Sequence, residues 1–179
     1  MDSNFSKFKL VGFFDQRDLI IRHIHYFLET ANEHLIRACI MFGTLLGKLR
    51  HNDFIRDDDV DIVVFDFDIF LEHCAPELKR QGYIVEPDVR NGKRMGCRIF
   101  HESGAEVPGK PRMRFPWIGI WEHEIGRDGQ IVLPPEDTRY RQEDFLLLGR
   151  TNFLGASVGI PHKPTNILNC RASEHLVAQ

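Results

Sequence analysis

The chain has 179 residues, 42% hydrophobic and 27% charged, with a formal net charge of −3. That length fits a single domain over 1–179, able to bury roughly 70% of its unfolded surface without staples. The acidic balance argues against duplex nucleic acid as a bulk partner, and no apolar run reaches the ~20 residues of a membrane span. The first residues lack a secretory leader, and Cys39, Cys74, Cys97 and Cys170 form no Cys-x-x-Cys pair, so a cytoplasmic protein with reduced thiols is expected.

Ile20, Ile24, Phe27, Leu28 and Ala31 recur at helical spacing, which predicts a helix over 15–35 with Asp15 as its cap. The apolar run Ala38 to Phe42 suits a buried strand that Gly43 breaks. A short helix over 44–49, a loop, and a second buried strand over 60–65 follow. Positions 67–81 read as helix, closed by Gly82 where a C-terminal glycine is favoured. Strands at 83–85 and 95–100 flank the turn signal Asn91-Gly92. A loop over 103–111 leads to a strand at 113–124, and Arg127-Asp128-Gly129 turns the chain back into 130–133. Two more short strands are expected at 145–148 and 156–160. The sum is an α+β fold: a mixed, largely antiparallel sheet with helices concentrated in the N-terminal half.

Asp57-Asp58-Asp59-Val60-Asp61 stands at the mouth of the second strand. Strands disfavour aspartate and neighbouring carboxylates repel, so the cluster is a local inconsistency of the kind that marks functional sites. Asp59 and Asp61 are two apart and project from one face of an extended chain. Such a pair suits a hard divalent cation, magnesium or manganese, with positions open to phosphate oxygens. Asp57 and Asp58 fit equally a solvated loop, caps or groups behind the ligands. Upstream, Gly43-Thr44-Leu45-Leu46-Gly47 follows a strand and opens a helix. Glycine there admits close approach, the helix start offers N–H groups to a phosphate, and Thr44 adds a hydroxyl. Arg50 follows within two turns and suits a phosphate fork.

The stretch Met41 to His51, then Phe54-Ile55 and Asp57-Asp58-Asp59-Val60-Asp61-Ile62, resembles the LicD/fukutin family of the nucleotidyltransferase-fold superfamily. The resemblance is specific over 41–64 and weaker over the later strands. It implies a metal-dependent transferase that moves a phospho-alcohol, of phosphocholine, ribitol phosphate or glycerol phosphate type, from a CDP-linked donor to a sugar hydroxyl of a glycan. By that likeness Gly43 and Thr44 match the phosphate loop, and Asp59 and Asp61 match the metal-binding aspartates. Three departures stand out. A single Arg56 replaces the usual Pro-Trp pair, the C-terminal aromatic-glycine segment is not evident, and Gly119 occupies the place of a further aspartate.

With Gly119 in that place, Glu122 is the next carboxylate along the strand and joins Asp59 and Asp61 as a catalytic candidate. His123 falls on the face of Gly119 and Trp121. The cations Lys93, Arg94, Arg98, Lys110, Arg112 and Arg114 make mid-chain basic, which suits either donor steering or a solvated hairpin. Two other readings stay open: transfer of an NMP unit with pyrophosphate release, and a nucleotide-binding paralogue without turnover.

Overall fold

The computed structural model describes residues 14–55, 59–134 and 138–177, with side chains as far as 170. Arg56, Asp57 and Asp58, which include half of the acidic run, lie outside the described residues.

A 3-10 turn over Phe14–Gln16 leads into α1, Arg17–Glu33, which buries Ile20, Ile24, Phe27, Leu28 and Ala31 as its spacing dictates. The cap differs from expectation. Gln16 precedes the helix without a side-chain cap bond, and Asp15 is taken up in the 3-10 turn. Strand β1 is Ala38–Ile40, shorter than its apolar run, because Met41 and Phe42 already open helix α2, Phe42–His51. Leu45 is fully buried under α2. Gly47 serves packing: a Cβ there would stand 2.5 Å from the Asp53 carbonyl, where the loop after α2 folds back. Arg17 holds that loop through Asp53 at 2.7 Å.

Strand β2, Asp59–Val64, is followed by a helical stretch, α3, running from Phe67–Ile69 through a π turn at Phe70–Cys74 to Ala75–Arg80. The hairpin of β3, Tyr83–Arg90, and β4, Lys93–Val107, turns at Asn91-Gly92, both with positive φ. β4 and β5, Lys110–Trp121, continue through the segment read from sequence as a loop over 103–111. Pairing partners such as Ala105 with Phe115 and Val107 with Lys110 keep this polar arm extended, which local composition does not reveal.

The central sheet has the order β1-β2-β5-β4-β3. Only β2 and β5 pair in parallel, and the other neighbours are antiparallel, so the mixed α+β reading holds. Where they pair, the two parallel strands are buried almost throughout, as the near-continuous runs Ile62-Val63-Val64 and Trp117-Ile118 require. Helix α1 packs on the face carrying Tyr83, where Tyr26 stacks on that ring at 5.3 Å. The other face carries the carboxylates.

Two small units complete the chain. Strands β6, Glu124–Ile125, β7, Ile131–Leu133, and β8, Thr138–Tyr140, form a second sheet, and β9, Gly149–Phe153, pairs with β10, Ala156–Ile160. The strand expected at 145–148 is instead the end of a helical turn, α4, Gln142–Phe145, and then an open segment with Leu147 at positive φ. A short apolar run suits either a strand or a buried turn, and among the described residues no partner strand reaches it. A C-terminal helix, α5, Pro164–Val177, was not anticipated; Lys163 and Asn166 tie its start to Asp144.

Leu45→Ala should lower unfolding stability by roughly 2–5 kcal/mol, the cost of an uncollapsed core cavity, as read by urea denaturation. A loss that size identifies α2 as part of the core rather than a mobile flap.

Candidate active site

The junction of β1 and α2 fixes the site. Phe42 has φ of +48°, an unusual and strained conformation for a bulky residue. It opens the turn so that Met41 N–H donates to the Asp61 carbonyl at 3.0 Å and Thr44 Oγ1 accepts the Asp61 N–H at 2.8 Å. Thus the main chain of Asp61 is held on both sides by the segment that carries Gly43. Its carboxylate is held too. Trp121 Nε1 donates to Asp61 Oδ1 at 2.7 Å, and the same indole meets Phe42 edge-on at 5.6 Å.

Register then builds the site face. Asp59 pairs with Trp117 and Asp61 with Gly119 across the parallel strands. Paired residues share a face, so both aspartates lie beside Trp117, Gly119 and Trp121. A Cβ placed on Gly119 would stand 3.4 Å from Asp59 Oδ2, 3.4 Å from Asp61 Oδ1 and 3.3 Å from Trp121 Nε1. Two carboxylate oxygens therefore converge on one point above a residue with no side chain. Asp61 is 6% exposed, and Asp59 is partly open. Among the described residues no group of three or more His, Cys, Asp or Glu is placed to hold a metal. The pair by itself still fits a hard divalent cation, since two converging carboxylate oxygens can hold an ion that keeps several other ligand positions for water or phosphate.

The other anticipated residues divide. Gly43 and Thr44 sit at the start of α2 beside Asp61, but Thr44 is buried and its oxygen is engaged with the Asp61 amide. Its described role is to position Asp61. Arg50 is exposed on the last turn of α2, about two helical turns and roughly 10 Å along the helix from Gly43.

Glu122 is not brought to the pair. Arg94 Nε and Nη2 bind its two carboxylate oxygens at 2.6 Å each, and Arg94 also reaches Asp68 at 3.0 Å. Glu122 lies just past the end of β5. His123 is not beside Gly119 either. Beyond the strand end its ring packs on Phe65 at 4.9 Å, and burial there holds the imidazole below its usual pKa.

Sequence reasoning did not foresee the bond from Trp121 to Asp61, named Arg98 only as one of the mid-chain cations, and passed over Asp88 and Arg90. Asp88 is buried and binds Arg98 Nη2 at 2.5 Å and Arg90 Nη2 at 3.1 Å. A signal was present: aspartate within a strand is the same inconsistency that singled out Asp59 and Asp61.

A family model described as LicD/FKTN/FKRP, nucleotidyltransferase domain, matches residues 35–163. The crystal structure of the lincosamide antibiotic adenylyltransferase LnuA bound to lincomycin superposes with a TM-score of 0.50 at 17% identity, covering 82% of this chain and 83% of that one. At that identity the likeness is one of fold. No curated protein matches the chain.

Thr44→Val removes the acceptor of a buried N–H and should cost roughly 1–3 kcal/mol in thermal or chemical denaturation even without ligand. Thr44→Ser keeps the oxygen and should recover most of that loss. Equal stability of Thr44→Val and the parent would mean that this bond does not hold Asp61.

Proposed function

The chain belongs to the LicD/FKTN/FKRP nucleotidyltransferase-domain family, and from that premise we propose that it is a metal-dependent transferase. The proposed reaction moves a phospho-alcohol of phosphocholine, ribitol phosphate or glycerol phosphate type from a CDP-linked donor to a sugar hydroxyl of a glycan. The observation that carries the reading is the convergence of Asp59 Oδ2 and Asp61 Oδ1 on one point beside Gly119.

In this reading Asp59 and Asp61 hold the magnesium or manganese ion. When bound, the ion supplies positive charge for donor phosphate oxygens as negative charge shifts to the leaving group. The protein's own groups do the positioning. The Trp121 N–H and the Thr44 oxygen fix the direction of Asp61. The start of α2, at Gly43, presents N–H groups to the donor phosphates. The acceptor oxygen forms a bond to the phosphorus that carries the alcohol. The bond from that phosphorus to the bridging oxygen breaks, and CMP leaves with that oxygen and its electron pair. The hydroxyl proton passes to a carboxylate oxygen of the aspartate pair. Glu122 has no part in this scheme, because Arg94 binds both of its oxygens.

Incubation with CDP-choline, CDP-glycerol and CDP-ribitol in the presence of magnesium should release CMP from one of them when a glycan acceptor is supplied. Pyrophosphate release from CTP or ATP in place of CMP would support transfer of an NMP unit instead. Nucleotide binding with neither product would indicate a binding paralogue.

Asp59→Asn and Asp61→Asn should each raise the barrier by at least ~3–4 kcal/mol, several hundredfold in rate, while the circular dichroism spectrum is unchanged. Asparagine at 61 can still accept the Trp121 hydrogen bond, so the loss reports the charge. Retention of more than about a tenth of the activity in either variant contradicts the assignment.

Gly119→Asp should introduce a third carboxylate beside the other two. Without metal the three repel, so the melting temperature should fall; magnesium should restore it, and calorimetry should show tighter magnesium binding than in the parent. Unchanged or weaker magnesium binding in a folded variant would show that this position does not face the ion.

A further inference from the structure

The same register that sets the aspartates beside Gly119 places a cation on its other side. Across the sheet, Asp61 pairs with Gly119, Gly119 with Arg98, and Arg98 with Glu86. All four belong to one row on one face. The next row toward Glu122 runs Val63, Trp121, Gly96, Asp88, and the row on the other side runs Asp59, Trp117, Phe100, Ile84. Along β5 the face therefore reads Trp117, Gly119, Trp121. Gly119 is the floor of a slot with an indole at each end, the carboxylates on one side and a guanidinium on the other.

Arg98 is held at that edge. Its Nη2 binds Asp88 Oδ2 at 2.5 Å, and Asp88 also binds Arg90, whose guanidinium lies 5.8 Å from the centre of the Trp121 ring. One carboxylate thus serves two guanidinium groups, and Glu86, half-buried, stands beside Arg98 in the same row. The rest of the basic hairpin does not share this placement. Arg94 is bound to Glu122, Lys93 lies 3.2 Å from Glu124, and Arg114 donates to the carbonyls of Pro111 and Met113. Arg98 alone among the six cations stands in register with Gly119.

We propose that the slot over Gly119 is a phosphate-binding site, with Arg98 as its cation, Asp88 as the residue that positions Arg98, and Arg90 as a second positive charge behind Trp121. Its ligand is a diphosphate ester, one phosphate shared with the aspartate side and the other met by the Arg98 fork. The Cα atoms of Asp61 and Arg98 are two strand spacings apart, roughly 10 Å, which leaves room for such a group between their side chains. The inference rests on the proposed aspartate site and assigns the diphosphate clamp to β4 rather than to Arg50. A guanidinium suits the task, since its planar donors match phosphate oxygens in pairs.

The test is titration of the full chain with inorganic pyrophosphate and with CDP, each in the presence of manganese, by calorimetry. Manganese binding alone is followed by electron paramagnetic resonance. Arg98→Gln should weaken both anions at least about tenfold, the scale of a lost charged hydrogen bond, and leave manganese binding alone unchanged. Arg98→Lys should fall between, because charge remains and the fork is lost. Asp88→Asn, which keeps both cations but loosens their anchor, should weaken the anions less than Arg98→Gln. Arg112→Gln, an exposed charge on the same hairpin, should leave binding unchanged. Anion affinity of Arg98→Gln within about twofold of the parent overturns the proposal while leaving the aspartate site standing. So does an equal loss in Arg112→Gln, which would reduce the effect to general charge. If the parent binds neither anion with manganese, the reading of the aspartate pair falls as well.

Discussion

The structure turns on how Asp61 is held. Its carbonyl accepts from Met41, its amide donates to Thr44, and its carboxylate accepts from Trp121. These partners come from the β1–α2 junction and from the end of β5, far apart in the chain. With its main chain fixed on both sides and its carboxylate bound by Trp121, a residue only 6% exposed has few rotamers left. The strain at Phe42, of the order of 1–3 kcal/mol, belongs to the same arrangement. That residue turns the chain so that Thr44 can reach Asp61, and its ring is then covered by Trp121.

The parallel pairing of β2 with β5 is the second condition. Were the two strands shifted by one residue, Ile118 or Ile120 would stand opposite Asp61, and the site face would become core. With Gly119 there instead, the two acidic side chains meet a residue without a side chain rather than packed hydrocarbon. Beyond Gly119, β4 sets Arg98 on this face, and β3 sets Glu86 and Asp88 beside it, with Arg90 bound to Asp88, so Arg98 is the cation that stands nearest the aspartates in register.

Much of this was legible in the sequence, and the parts that were not share a cause. Helix α1 followed from the spacing of Ile20, Ile24 and Phe27, the end of α3 from Gly82, and the β3–β4 hairpin from Asn91-Gly92. These are local signals, settled within a few residues. The candidate site was flagged by carboxylates in an apolar strand, also a local conflict. What escaped were partners set by register and packing. Nothing near Glu122 in sequence announces that Arg94 will bind both its oxygens. Nor does the strand pattern foretell that β5 ends at Trp121, which takes His123 off the face and onto Phe65. Thr44 was read as adding its hydroxyl to a phosphate loop; the amide it meets belongs to the next strand. The C-terminal helix α5 gave little signal because its described side chains bury little beyond Ile167.

The central claim is that Asp59 and Asp61 hold a divalent cation beside Gly119. Crystals soaked in manganese and measured near its absorption edge test it directly, since the anomalous signal locates the ion without reference to activity. The account predicts one dominant peak on the sheet face above Gly119, with an oxygen of each aspartate at about 2.1 Å. A dominant peak elsewhere, or none at this position in crystals soaked to saturation, would contradict it.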